Sequence, residues 1–474
     1  MAVNFEITIK SDEGRASIFE SELLPTGDNL DELALSVRSA TEAARRLHAN
    51  GIDVLDIGRF SISARCEEDR FSSFFGTELR TVQLRPVEGA DEPETPAGRA
   101  AAYEARVPAA RVTPPETDGL NDLLERVYVQ PDPILFAGER PVPPAGLMRP
   151  KFRLRVPGDI AQLMGATVAH RSGTTGRGVR VAMVDGGFYH HPYFVDQGYD
   201  FLAVPAPDVA DPQDDPSGHG TGEAANLFAT APGINFIGVK MGNPTLAFRT
   251  AAQLRPDVIT CSWGFHVDFP GTTMPNWLKP LYLEVLNAIA NGTIVCFSAG
   301  NGHRAFPANV PQVIAVGGTV VQADLDVRAT EYTSSFDSAW FAGRHLPDIT
   351  GLCGEPPTAD YIVLPVPAGS ALEISGGWGA FSGTSAASPM VAGVCALLRE
   401  VDADITPADA KRVLQYTAFD VKNGKSAHGD VAAPGKDAAT GYGLVDAGRA
   451  VNALVWPNLC DERGRAGLRR VGAE

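Results

Sequence analysis

Four short strings in this chain hold residues that do little alone and could do chemistry together. Asp185 follows the apolar run VRVAMV (179–184), and His219 lies in SGHGTGE. Asn301 follows TIVCFSAG, and Ser385 lies in FSGTSAASPMVAG. They supply a carboxylate, an imidazole, a carboxamide and a hydroxyl, each within two residues of a glycine. A serine hydroxyl is a weak nucleophile near neutral pH and needs a base beside it. Imidazole titrates in the right range to be that base. A buried carboxylate fixes the imidazole tautomer and stabilises the imidazolium. A carboxamide can donate to the oxyanion that forms when a carbonyl is attacked. Taken singly, each string reads more plainly as a turn, a helix cap or an exposed histidine. Taken together, they describe acyl transfer.

These residues need a scaffold that brings them together. From about residue 151, short apolar runs recur: VRVAMV, INFIGVK (234–240), DVITCSW (257–263), TIVCFSA (293–299) and QVIAVGG (312–318). Runs without polar alternation fit strands buried on both faces of a parallel sheet. Helical segments lie between them, one over roughly 278–291 and one opening at Thr406 with Pro407 at its first position. The alternation predicts an α/β fold, a doubly wound and mostly parallel sheet with helices on both faces. In such sheets ligands bind beyond the carboxyl ends of the strands, where Asp185 and Asn301 fall. Ser385 opens a long apolar stretch that reads as a helix. Its own backbone N–H would then be unpaired and free to serve as a second oxyanion donor.

The strings and their order resemble the subtilisin-like serine peptidases. VAMVDGGFYHHPYF is similar to the family's Asp motif, GHGT to its His motif, SAGNG with FPA to its oxyanion motif, and GTSAASPMVAG to its Ser motif. TGYGLVDAGRAV (440–451) is similar to the closing segment, so the resemblance spans roughly 160–455. It implies a serine endopeptidase acting on protein or peptide substrates. Asp185, His219 and Ser385 would be the triad, and Asn301 an oxyanion donor. Ser262, Trp263 and Gly264, with Ala299 and Gly300, would border the extended substrate. Two departures stand out: Asp185 is followed by Gly-Gly, and GHGT by Gly-Glu-Ala-Ala. Neither touches a triad atom. A catalytically silent member of the fold, used for binding, is the alternative.

Residues 1–85 read as a small α+β unit, which the resemblance makes propeptide-like and an inhibitor of its own chain. Phe5, Ile7 and Ile9 alternate as on a strand, a helix is expected after Asn29, and Phe71, Phe74 and Phe75 read as strand-like. Residues 86–150 are rich in Pro, Ala and Gly and read as a linker with a processing region, broken by a helical piece near 123–127. The catalytic unit is expected over 151–456, and a disordered tail over 457–474.

The chain of 474 residues carries a formal net charge of −17, which repels phosphate backbones and excludes nucleic acid as an expected partner. No apolar run reaches membrane-spanning length, so no membrane partner is expected. The N-terminal sequence lacks the features of a secretory signal, and a cytoplasmic location with reduced cysteines is the expectation. The chemistry needs no cofactor. Asp208, Asp211, Asp214 and Asp215 make an oxygen-rich loop that could hold structural calcium. It lacks the EF-hand spacing and reads as a solvated acidic loop. His190 and His191 could suggest a metal hydrolase with His219, but His191-Pro192 matches a position of the family's Asp motif.

Overall fold

The computed structural model describes residues 2–10, 17–19, 25–84, 103–110, 112, 115–116, 119–135, 153–267, 273–322, 324–355 and 361–455. The tail 457–474, Cys460 and much of the expected linker lie outside these residues. The dominant element is a nine-stranded sheet. Its spatial order is Phe201–Pro205, Asn235–Lys240, Arg180–Asp185, Val258–Cys261, Ile294–Ser298, Ile314–Val321, Val327–Ala329 and Asn423–Gly424, with Ile349–Leu352 also paired to Ile314–Val321. The six strands from Phe201–Pro205 to Ile314–Val321 are mutually parallel. The apolar runs of the four strands from Arg180–Asp185 to Ile314–Val321 are buried as a block, with Val181 to Val184 and Ile294 to Phe297 at or near zero exposure. One hydrophobic core packs the helices His219–Thr230 and Thr384–Val401 against the sheet, and a second packs Pro244–Gln253 and Lys279–Ala290. This is the expected doubly wound architecture.

The strand order reverses beside Arg180–Asp185. That strand lies between Asn235–Lys240, two strands later in the chain, and Val258–Cys261, three strands later. The chain therefore leaves in both directions from this point and opens a crevice above Asp185 and Ser262. The helix at Pro407 forms as expected, with the Thr406 hydroxyl accepting from Asp409 N.

The N-terminal residues form a four-stranded antiparallel sheet in the order Asp53–Ile57, Ile62–Glu67, Ala2–Ile9, Leu124–Val129. Phe5, Ile7, Ile62 and Ala64 face a core closed by the helices Val37–Ala49 and Glu68–Phe75. Three local expectations change. The first helix starts at Val37 behind the Ser36 cap, not after Asn29. Phe71, Phe74 and Phe75 lie on a helix, not a strand, because their three- and four-residue spacing gathers the rings on one face, stopped by Gly76 at φ 66°. The stretch Leu124–Val129 is a strand, not a helix. Its Val-Tyr-Val end suits a pleated surface, and the free edge of Ala2–Ile9 accepts it.

The sheet's other face, Glu6, Thr8, Ser61 and Ser63, is polar by alternation yet fully buried. Around it sits Arg249 of the helix Pro244–Gln253. Its guanidinium meets Glu284 at 2.8 Å, Asp56 at 3.0 Å, Ser63 at 3.1 Å, Ser61 at 2.8 Å and Glu6 at 3.7 Å. Gly58 leaves room for it, since a Cβ there would lie 2.2 Å from the guanidinium carbon and displace the side chain. Gln130 extends the contact by bonding both the hydroxyl and the N–H of Thr245 at the start of the same helix. Beyond it, Ile134–Leu135 pairs antiparallel with Trp263–Gly264. The five described cysteines are buried free thiols. Among the described residues no helix is long and apolar enough to cross a membrane.

Candidate active site

Asp185 ends its strand with no exposed surface and accepts from the next amide, Gly186 N, at 2.7 Å. Above it starts the helix His219–Thr230. The His219 ring nitrogen Nδ1 lies 2.8 and 3.0 Å from the two Asp185 carboxylate oxygens, and both side chains are fully buried. The close approach depends on Gly220, where a Cβ would fall 2.3 Å from Gly187 O and 2.9 Å from Asp185 Cβ. Burial pulls the His219 imidazole down, but Asp185, through charge and hydrogen bond, then Glu223 and Asp215, push it up to about 9.

Asp215 is not part of a solvated loop. It is buried, and one oxygen accepts from Ser217 Oγ and Gly218 N at 2.9 Å each, the other from Thr221 N at 3.0 Å and Thr221 Oγ1 at 2.7 Å. It thus caps the His219 helix, where the dipole favours a carboxylate. Its position, four residues ahead of His219 in DPSGHGT, was the available signal. Asp211 and Asp214 are exposed, and Asp208 is half-buried and accepts from Asn243 N.

Ser385 is the second residue of the helix Thr384–Val401, which opens behind Gly383 at φ 108°. Its backbone N–H is therefore one of the helix's unpaired donors. The Ser385 hydroxyl donates to Ser262 O at 3.0 Å, and Ser262 Oγ donates back to Ser385 O at 2.9 Å. The structure thus joins Asp185 to His219 and Ser385 to Ser262, while His219 Nε2 makes no hydrogen bond among the described residues. Asn301 Oδ1 accepts from both Thr384 N and Thr384 Oγ1 at 2.9 Å, so its carbonyl end is pinned to the first turn of the Ser385 helix. Asn301 N donates to His303 Nδ1 at 3.3 Å. Burial, then His266 and His428, hold that imidazole down at about 3, which keeps it a neutral acceptor.

The expected substrate-bordering residues fall around this centre. Trp263 is fully buried, donates to Val184 O at 2.8 Å and meets Phe297 edge-on at 5.4 Å. With Gly264 it forms the edge now paired to Ile134–Leu135. Ala299 N donates to Val316 O at 2.8 Å, and Gly300 N to Thr384 Oγ1 at 3.2 Å. His190 stacks on Phe201 at 5.5 Å, and His191 caps the helix Pro192–Gln197. Sequence reasoning gave Glu223 no role. It is fully buried one turn after His219, with Oε1 3.9 Å from His219 Nε2.

The subtilase family model, peptidase S8, matches residues 176–443. The chain belongs to this family of serine endopeptidases. Subtilisin of Bacillus pumilus is 29% identical over 281 residues, covering 56% of this chain and 91% of that one. Serine protease AprX of Bacillus subtilis (strain 168) is 29% identical over 282 residues, covering 51% of this chain and 61% of that one. Fervidolysin from Fervidobacterium pennivorans, a keratinolytic enzyme related to subtilisin, shares the fold with a TM-score of 0.56 at 17% identity. That match covers 95% of this chain and 61% of the fervidolysin chain.

Proposed function

We propose that this serine endopeptidase cleaves protein or peptide substrates through an acyl-enzyme on Ser385. His219 is its base and Asp185 the orienting carboxylate. The observation that carries the reading is the fully buried Asp185–His219 pair at the point where strand order reverses, beside the strand that leads into Ser262, whose carbonyl holds the Ser385 hydroxyl. For reaction, the Ser385 hydroxyl turns from the Ser262 carbonyl to His219 Nε2. Its oxygen attacks the substrate carbonyl as His219 takes the proton. Asp185 holds the Nδ1 proton and stabilises the imidazolium. The Asn301 carboxamide, oriented by Thr384, and the Ser385 N–H donate to the oxyanion. His219 then protonates the leaving amine, and water repeats the sequence to release the acid. Asp185, His219 and Ser385 supply these steps without a cofactor.

The N-terminal unit is proposed to inhibit its own chain. Ile134–Leu135 lies as an added antiparallel strand on the Trp263–Gly264 edge, the way an extended peptide binds a sheet edge. The Leu135 side chain reaches within 4.0 Å of a Cβ position on Gly186, next to Asp185. Cleavage is expected in the stretch 136–150, just after this strand. Tethering gives the inhibitor a high effective concentration that is lost on cutting. Intact masses of the wild type and Ser385→Ala, expressed side by side, test this. A mature fragment starting after Leu135 in the wild type alone supports it. A wild type that stays full length while cleaving peptides would make the unit a permanent domain.

A further inference from the structure

We infer that Glu223 competes with Ser385 for Nε2 of His219 and thereby sets the lower pH limit of the peptidase. The inference rests on the triad proposed above. Glu223 and His219 are one helical turn apart, both without exposed surface, with Oε1 and Nε2 separated by 3.9 Å. Each of these two atoms lacks a hydrogen bond among the described residues. The other Glu223 oxygen is fixed by Asn226 Nδ2 at 2.8 Å, so the carboxyl is held with its free oxygen toward the histidine. A buried carboxylate needs a cation or donors, and the cation within reach is His219.

The surroundings leave the pair to itself. From the strand below comes Asp185, already on Nδ1, and from the turn before the helix comes Asp215, committed to the helix cap. After the strand Ile349–Leu352 comes Cys353, whose thiol donates to Gly383 O at 2.9 Å. The Ser385 helix presents no charged side chain before Arg399. Phe381 lies over Gly222, its ring 6.4 Å from that of His219. Burial pushes Glu223 up to about 7, against the pull of His219 and the bond from Asn226.

The consequence is a shared proton. An imidazolium offers its Nε2–H to Glu223. A neutral imidazole beside a protonated Glu223 accepts from it. In both states the Nε2 lone pair that must take the Ser385 proton is occupied. When the pair's proton leaves to solvent, the carboxylate repels the Nε2 lone pair, which is then free to face the Ser385 hydroxyl. The two groups titrate as a unit, and activity rises as that unit loses its proton.

The test is kcat/KM against pH for the peptide-cleaving enzyme, wild type beside Glu223→Gln and Glu223→Val. The rate of fluorophosphonate labelling over the same pH range is a second readout. Removing the carboxylate should move the acid limb down by about one pH unit or more, relative to each enzyme's own plateau. Rates on the limb then rise about tenfold. Glu223→Val fills the buried site with an apolar side chain and carries the test if the Gln variant folds poorly. Acid limbs that coincide with wild type in the folded variants would overturn the inference. Labelling that persists in Ser385→Ala would instead overturn the triad itself, and this inference with it.

Discussion

The central sheet and the N-terminal sheet bury their faces in opposite ways. In the central sheet both faces are apolar and covered by helices of the same unit, as in Val181 to Val184. In the N-terminal sheet one face is apolar and self-covered. The other carries Glu6, Thr8, Ser61 and Ser63, and Glu6, Ser61 and Ser63 meet Arg249 of the catalytic body. Apolar faces of the first kind hold a fold together. A polar face that closes on a partner's buried charge suits surfaces that also exist apart, because each side can be solvated alone. The chemistry belongs to the first region and its proposed control to the second.

This contrast gives an order of effects. Ser385→Ala should lower kcat by about 10⁶ without disturbing either sheet. Wild-type turnover in that variant would remove the chemistry from this site. Arg249→Met, made in the Ser385→Ala background to prevent self-cleavage, leaves Glu6 and Glu284 buried without their cation. It should destabilise the chain by about 3–5 kcal/mol in denaturant unfolding. A loss below about 1 kcal/mol would mean that the polar face is not held by charge. Asn301→Ala should lower kcat by about 10²–10³ with little change in KM. An effect confined to KM would assign Asn301 to ground-state binding.

The smallest effect separates the two sheets by pH. Burial raises the Glu6 carboxyl, against the pull of Arg249 and the bonds from Ser61 and Ser63. A raised carboxyl contributes stability below its ordinary range and loses it as pH rises through the raised value. The melting temperature of Ser385→Ala should therefore fall, relative to the same chain with Glu6→Gln, as pH rises from about 4.5, the ordinary carboxyl range. A gap that stays constant with pH would show that Glu6 is not the group responsible.

Much of the catalytic body was legible in the sequence. Uninterrupted apolar runs marked its parallel strands, and Asp185, Asn301 and Ser385 fell at strand ends and a helix start, where chemistry collects. What was hidden depended on neighbours remote in the chain. Nothing local in Phe5-Glu6-Ile7-Thr8 says that the polar side meets Arg249, some 240 positions later. Phe71 to Phe75 fits a strand by composition and a helix by spacing, and the core of the N-terminal unit decides. Ile134–Leu135 is too short to read as a strand until the Trp263 edge is there to pair it. Glu223 stood out as a departure after GHGT, but only the helical turn reveals that it faces Nε2 of His219.

The most direct test of the catalytic assignment is covalent. A fluorophosphonate probe reacts only with an activated serine, and peptide mapping by mass spectrometry locates the adduct. The expected result is a single adduct on Ser385 in the wild type, its formation all but abolished in His219→Ala. An adduct on another residue, or wild-type labelling of Ser385 in His219→Ala, would contradict the assignment.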